Sequence, residues 1–170
     1  MWLSSAFGGL EARVAKRRTH RIRVATDTAT LAVFDPARLR HRLDSPADWW
    51  TWPPDVLGDL NAGNILPVDV GADGGYGVTV HLDEDRPPGG AERAVSGLVG
   101  CDSGALFIGP GEQITGHGLE PDEALGGVRL STPPGTYRVH VARDGDDGLE
   151  VWLEPIAAPP GNGFTDYPRL

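Results

Sequence analysis

The run Gly135-Thr-Tyr-Arg-Val-His-Val-Ala-Arg-Asp-Gly-Asp-Asp-Gly-Leu-Glu-Val-Trp-Leu-Glu-Pro155 alternates apolar and polar residues on both sides of an Asp/Gly cluster. Such a pattern predicts a β-hairpin. Tyr137, Val139 and Val141 point to one face, and Leu149, Val151 and Leu153 meet them only if Val141 faces Val151 and Val139 faces Leu153. The same register sets His140 opposite Trp152 and Arg138 opposite Glu154 on the outer face, with Asp144 to Gly148 as the turn. This commits the end of the chain's body to antiparallel β-structure.

The remaining body reads the same way. Residues 20–26, 30–34, 64–70, 76–82, 95–101, 105–108 and 127–130 are short β-rich runs, separated by Gly/Pro/Asp punctuation such as Gly71-Ala-Asp-Gly-Gly75 and Arg86-Pro-Pro-Gly-Gly90. Asp35-Pro36 opens a short helix to about Leu43, burying Leu39 and Leu43 and leaving Arg38, Arg40 and Arg42 to solvent. A second short helix is expected over 55–60. The expected fold is therefore mainly β, an antiparallel β-sandwich or partly open barrel with one or two short helices. Residues 1–18 read as a loosely held N-terminal arm, broken by Gly8-Gly9, and 19–156 as a single β-rich domain. Residues 157–170 read as an aperiodic C-terminal tail, with Phe164 and Tyr167 able to tether it to its own body or to a neighbour.

Charge is unevenly spread. The first 42 residues net +6, from nine basic against three acidic side chains, which leaves −15 for the rest of a chain whose total is −9. No aromatic residue interleaves with the basic run and no nucleic-acid motif accompanies it, so nucleic acid is not the expected partner. An acidic body repels nucleic acid and suits either simple solubility or the docking of a basic protein. The single cysteine, Cys101, cannot form an internal disulfide, and a reduced cytoplasm is the expected setting. The first ten residues place apolar groups before any charge, which is the wrong order for a secretory signal, and no run is long enough for a membrane span.

Candidate chemistry is thin. Cys101-Asp102-Ser103 holds two nucleophile types side by side, but the run reads first as a turn between strands with Cys101 inward, and Gly-x-Ser-x-Gly is absent. Asp144, Asp146 and Asp147 resemble the start of a calcium loop whose glycine and closing glutamate are misplaced. The five histidines, at 20, 41, 81, 117 and 140, show no zinc spacing. No metal or cofactor is expected. Asp48-Trp-Trp-Thr-Trp-Pro-Pro54 gathers three of the five tryptophans. Buried, they pin a loop to the core; exposed, Trp49, Trp50 and Trp52 would be stacking platforms for a sugar or small ligand.

The runs Val95-Ser-Gly-Leu-Val-Gly-Cys-Asp-Ser-Gly-Ala-Leu-Phe-Ile-Gly109 and Pro133-Pro-Gly-Thr-Tyr-Arg-Val-His-Val141 resemble bacterial β-sandwich families of unknown function that are similar to small immunity or inhibitor proteins. The resemblance spans about Asn64 to Pro155 and rests on turns and strands, so it carries over no functional residue. Together with the acidic body it implies a non-catalytic protein-binding module, with Asp83, Glu84, Asp85, Asp144, Asp146 and Asp147 as electrostatic contacts to a basic protein. A ligand-binding sandwich using the tryptophans is the alternative, and a hydrolase built on Cys101 or Ser103 the least favoured. Oligomeric state is not legible.

Overall fold

The computed structural model describes residues 18–83 and 93–170. The expected arm, apart from Arg18, lies outside them, as do Glu84, Asp85 and the Arg86–Gly90 turn. Among the described residues nine strands form two sheets: β1 (Arg18–Thr26), β2 (Thr30–Phe34), β3 (Ile65–Asp69), β4 (Gly74–Leu82), β5 (Ala94–Cys101), β6 (Ala105–Pro110), β7 (Val128–Ser131), β8 (Gly135–Arg143) and β9 (Gly148–Ile156). The larger sheet has the order β1-β4-β9-β8-β5 and the smaller β3-β2-β6-β7. This is the expected β-sandwich, with the closing hairpin in the expected register: Val141↔Val151, Val139↔Leu153, His140↔Trp152 and Arg138↔Glu154.

One pairing departs from the antiparallel expectation. The β8–β9 hairpin lies between β4 and β5, and β9 runs parallel to β4, pairing Val80 with Val151 and Leu82 with Leu153. Alternation within a hairpin specifies how its own strands pair, and says nothing of which neighbour its outer edge will meet.

The inner faces of the two sheets close over one core. From the larger sheet come Val78, Val80, Val139, Val141, Val151 and Leu153, and from the smaller Leu31, Val33, Leu66, Val68, Leu106 and Ile108. A second core lies behind the smaller sheet, where Ala32, Phe34, Ile65 and Phe107 pack against Leu39, Trp49, Trp50, Val56 and Ile114. Its cover is a layer of short helical pieces: 3-10 turns at Pro36–Arg42 and Trp49–Thr51, and helix α1 (Pro53–Asn61). Burial on both faces explains why β2, Thr-Leu-Ala-Val-Phe, is buried at every position and apolar without a break from Leu31 to Phe34, where one-sided strands alternate. It also accounts for two tryptophans, at 3% and 4% exposure for Trp49 and Trp50, while Trp52 stands 62% exposed. Trp50 comes so close to Gly111 that a Cβ there would lie 2.6 Å from its ring, so only glycine fits.

The expected arginine face of the first helical piece is corrected by its geometry. Pro36–Arg42 is 3-10 rather than α-helical, so residues three apart share a face. Leu39 therefore aligns with Arg42 rather than with Leu43. Leu43 is only half-buried, Arg40 alone of the three arginines is fully exposed, and Arg38 and Arg42 turn towards the body.

The C-terminal segment is aperiodic as expected, yet it is tied to its own body. β5 and β3 are edge strands on the same flank, and the segment closes both. Asn162 accepts from the Leu98 N–H at 2.7 Å and donates to the carbonyls of Leu98 and Leu60 at 2.9 and 2.8 Å. Further on, the Asp69 N–H donates to the Pro168 carbonyl and the Leu170 N–H to the Asp69 carbonyl, both at 2.9 Å.

Two outcomes follow from this packing. Phe107→Ala, at a fully buried ring, is expected to cost about 3–5 kcal/mol of stability, against under about 0.5 kcal/mol for Trp52→Ala, read from urea midpoints. Asn162→Ala, which strips partners from the β5 edge, is expected to cost about 1–3 kcal/mol and to promote concentration-dependent self-association visible by sedimentation.

Candidate functional site

Cys101 ends β5 and Ser103 lies in the β5–β6 turn, and their surroundings are those of a structural clamp. The Cys101 side chain is buried. Burial pushes its thiol above the ordinary value; the Gly104 backbone pulls the other way and the Asp35 carboxylate adds to the rise, so thiolate is scarce. The Ser103 hydroxyl donates to Asp35 at 2.7 Å. That carboxylate also accepts from the backbone N–H groups of Asp102 at 2.6 Å, Ser103 at 2.7 Å and Ala37 at 2.9 Å. Burial alone would raise the Asp35 carboxyl, but these four donors outweigh it and hold the group below its ordinary range. A carboxylate so held is a weak base, and what it does is join the β2 exit to a turn 68 residues away.

Beside the clamp runs a polar network. Arg38 donates to both Asp102 oxygens at 3.0 Å and to the Asn64 side-chain Oδ1 at 3.0 Å, and lies so close over Gly100 that a Cβ there would meet its guanidinium at 2.8 Å. Asn64 donates to Asp59 at 2.8 Å, and Asp59, only 4% exposed, is also paired with His41 at 2.8 Å and Arg42 at 2.7 Å. Arg42 in turn sits 4.2 Å over the Trp49 ring. A buried carboxylate with three partners is one that the fold needs in place, since removing a partner strands a charge.

Of the six acidic positions singled out from sequence, the four that are described do not form one surface. Asp144, Asp146 and Asp147 are exposed at the β8–β9 tip, where the Asp147 carbonyl accepts from the Gly77 N–H at 2.8 Å. Asp83 follows β4 at the opposite end of the same strand, roughly 20 Å away by the rise of an extended chain. There it pairs with Arg18 at 3.7 Å and borders a groove lined by Pro133, Pro134 and Pro155. Glu84 and Asp85 lie outside the described residues.

The hairpin tip instead gains neighbours that sequence reasoning left aside. The pairing of Thr26 with Gly74 brings the β1–β2 and β3–β4 turns together, and the Val70 N–H donates to the Ala29 carbonyl at 2.8 Å. Arg143 binds the Val70 carbonyl and leans over Tyr76, linking the β8–β9 turn to the same end. Asp27, Asp73 and Glu112 thereby join Asp144, Asp146 and Asp147, all six exposed, at an end that also carries Arg23, Arg93 and Arg143. Only the turn composition hinted at this clustering; the adjacency comes from strand order.

The tryptophan triplet is divided. Trp49 and Trp50 lie inside, pinning their loop to the core as the buried reading has it, with the Trp49 Nε1–H donating to the Thr115 carbonyl at 2.8 Å, and of the three stacking platforms in the alternative reading Trp52 alone is exposed. The physical reason is the bare outer face of the smaller sheet, which needs an apolar lid. Among the described residues no three His, Cys, Asp or Glu side chains converge as metal ligands, and no helix is long and apolar enough to cross a membrane.

Residues 18–155 match a family described as "Family of unknown function (DUF6386)". The chain belongs to that family. Its match begins at β1 and ends within β9, so the family's shared region is the sandwich itself, without the C-terminal segment. No curated protein matches the chain. Two solved structures share the fold. One, titled "Crocagin biosynthetic gene J", is 17% identical with a TM-score of 0.57, covering 84% of this chain and 99% of that one. The other is ComJ of Bacillus subtilis, titled as an inhibitor of the DNA-degrading activity of NucA, at 10% identity and a TM-score of 0.55, covering 84% of this chain and all of ComJ.

The clamp makes a pH prediction. A carboxyl held below its unfolded value stabilises the fold above that value, and the contribution is lost as pH falls through the lower folded value. Asp35→Asn is expected to cost about 1.5–3 kcal/mol at neutral pH and to flatten the acid limb of stability below about pH 5, measured by urea unfolding across pH.

Proposed function

We propose that this protein is a non-catalytic protein-binding module of the inhibitor or immunity type, docking a basic protein. The observation that carries the reading is the loop end of the sandwich, where Asp27, Asp73, Glu112, Asp144, Asp146 and Asp147 gather on turns held by a rigid body. Clustered carboxylates on a fixed scaffold steer a cationic partner and orient it on arrival. The fold shared with ComJ supports the inhibitor class, since ComJ is an inhibitor of the DNA-degrading activity of NucA and this chain covers its whole length. The Cys101 and Ser103 surroundings favour this over a hydrolase, because neither nucleophile is activated.

The test is affinity purification from the native host at low salt, with partners eluted by rising salt. A single basic protein is expected in stoichiometric amount. Replacing Asp144, Asp146 and Asp147 by lysine is expected to slow its association by about tenfold, an effect that fades as salt rises. Association unchanged at low salt would remove the hairpin tip from the interface.

A further inference from the structure

The connection between β6 and β7, residues 111–127, carries Glu112, Glu120, Asp122 and Glu123 and neither lysine nor arginine. It also carries two of the largest exposed apolar side chains among the described residues, Leu119 at 69% and Leu125 at 73% exposure. These leucines and Ile114 line a cavity of about 220 Å³ that Glu112, Glu120 and Asp122 also border. Ile114 is buried and forms the floor, while the two leucines and three carboxylates are exposed at the mouth. A second hollow shares Glu112 and Leu125 and continues to Thr26 and Asp27 at the β1–β2 turn. The two hollows adjoin at Glu112 and Leu125, beside the acidic end of the sandwich, and the groove is the one at Ile114.

The groove is held in shape. The His117 and Gly118 N–H groups donate to the Ser45 and Leu43 carbonyls at 2.8 and 2.7 Å, and Thr115 is bonded by the Trp49 indole. The Gln113 side chain accepts from the Asp122 N–H at 3.0 Å. Glu112 accepts from the Thr26 hydroxyl at 3.1 Å and from the Asp27 N–H, and Asp122 from the Ala124 N–H at 2.9 Å. The nearest cation in sequence, Arg129, is engaged with the Pro121 carbonyl at 3.4 Å, and its N–H with Glu123. Leucines that water surrounds on a loop so firmly pinned gain nothing for the fold, and a paired apolar and acidic lining selects its occupant by charge and shape.

We infer that this groove seats an arginine side chain of an extended basic segment in the protein partner, its methylenes on Leu119 and Leu125 and its guanidinium among Glu112, Glu120 and Asp122. The inference rests on the protein-binding reading and adds the anchor to it. An arginine stem is apolar and its head offers five donors in a plane, which suits carboxylates set around a hydrophobic floor better than a compact ammonium does. Glu112 and Asp122 are already oriented by backbone and hydroxyl donors with lone pairs left over, so little ordering remains on binding.

The test uses the full chain and a fluorescein-labelled peptide alternating arginine and leucine, with citrulline, the uncharged isostere of arginine, as control, followed by anisotropy at low salt. The arginine peptide is expected to bind at least about tenfold more tightly than the citrulline one. Glu120→Gln and Leu125→Ser, both at exposed side chains, are each expected to weaken it about three- to tenfold, whereas neutralising Asp144, Asp146 and Asp147 to asparagine changes it under about twofold. Equal affinity for both peptides, or equal loss from the hairpin variant and the groove variants, overturns the assignment. A partner retained equally by wild type, Glu120→Gln and Leu125→Ser also overturns the groove while leaving the protein-binding reading intact. Peptide binding with the expected variant pattern, but no partner retained from the host, upholds the groove and removes that reading.

Discussion

Excluding water from both faces of the β3-β2-β6-β7 sheet is the constraint on which the rest of the molecule depends. One face is met by the larger sheet, but the other needs a lid, and the chain between β2 and β3 supplies it with Leu39, Trp49, Trp50 and Val56. Short helical pieces leave many backbone groups to satisfy, and the polar network around Asp35 and Asp59 does this work at the lid's edge. Asp35 ties the lid's entrance to the β5–β6 turn, while Arg42 carries the Asp59 pairing onto the Trp49 ring. The same indole then anchors the β6–β7 connection through Thr115. Stability and surface are thus linked: the lid that covers the core also holds the acidic groove open.

What the sequence showed, it showed where physics is local. The β8–β9 register follows from alternation within twenty residues, and the β2 run announces a strand because β-branched and aromatic residues crowd it. The 3-10 character of Pro36–Arg42 was hidden, since Leu39 and Leu43 fit an α-helical face equally well on paper. The parallel β4–β9 pairing was hidden too, because it depends on which strand a finished hairpin slides beside. The C-terminal segment had no period to read: Asn162 acts through its amide on an edge strand, a role that composition does not reveal.

The site divides along the same line. Carboxylates at turn tips are visible in any sequence, and Asp144, Asp146 and Asp147 stand exposed as expected. That Asp83 lies at the far end, and that Asp27, Asp73 and Glu112 join the hairpin tip, are consequences of strand order alone. Glu112 drew notice only as a residue that would repel phosphate, yet its carboxylate is fixed by Thr26, 86 residues earlier. Leu119 and Leu125 carried no signal, because exposure of an apolar residue is a property of the finished surface.

The strand order has a consequence for how the molecule comes into being. In the larger sheet β4 and β5 are separated by the two strands made last, so a chain emerging from its N-terminus can form only the β1–β4 pair of that sheet before residue 135 is available, and β4 cannot be joined to β5 before β9 follows at residue 148. Until then the edge of β4 away from β1 waits without its partner, which is the arrangement that slows folding and invites unwanted association. The smaller sheet is complete once β7 has appeared, and with its lid it provides a surface on which the late hairpin can condense. Assembly of the sandwich is therefore gated by its final hairpin, whose strong alternation and single permitted register let it form locally and arrive already paired.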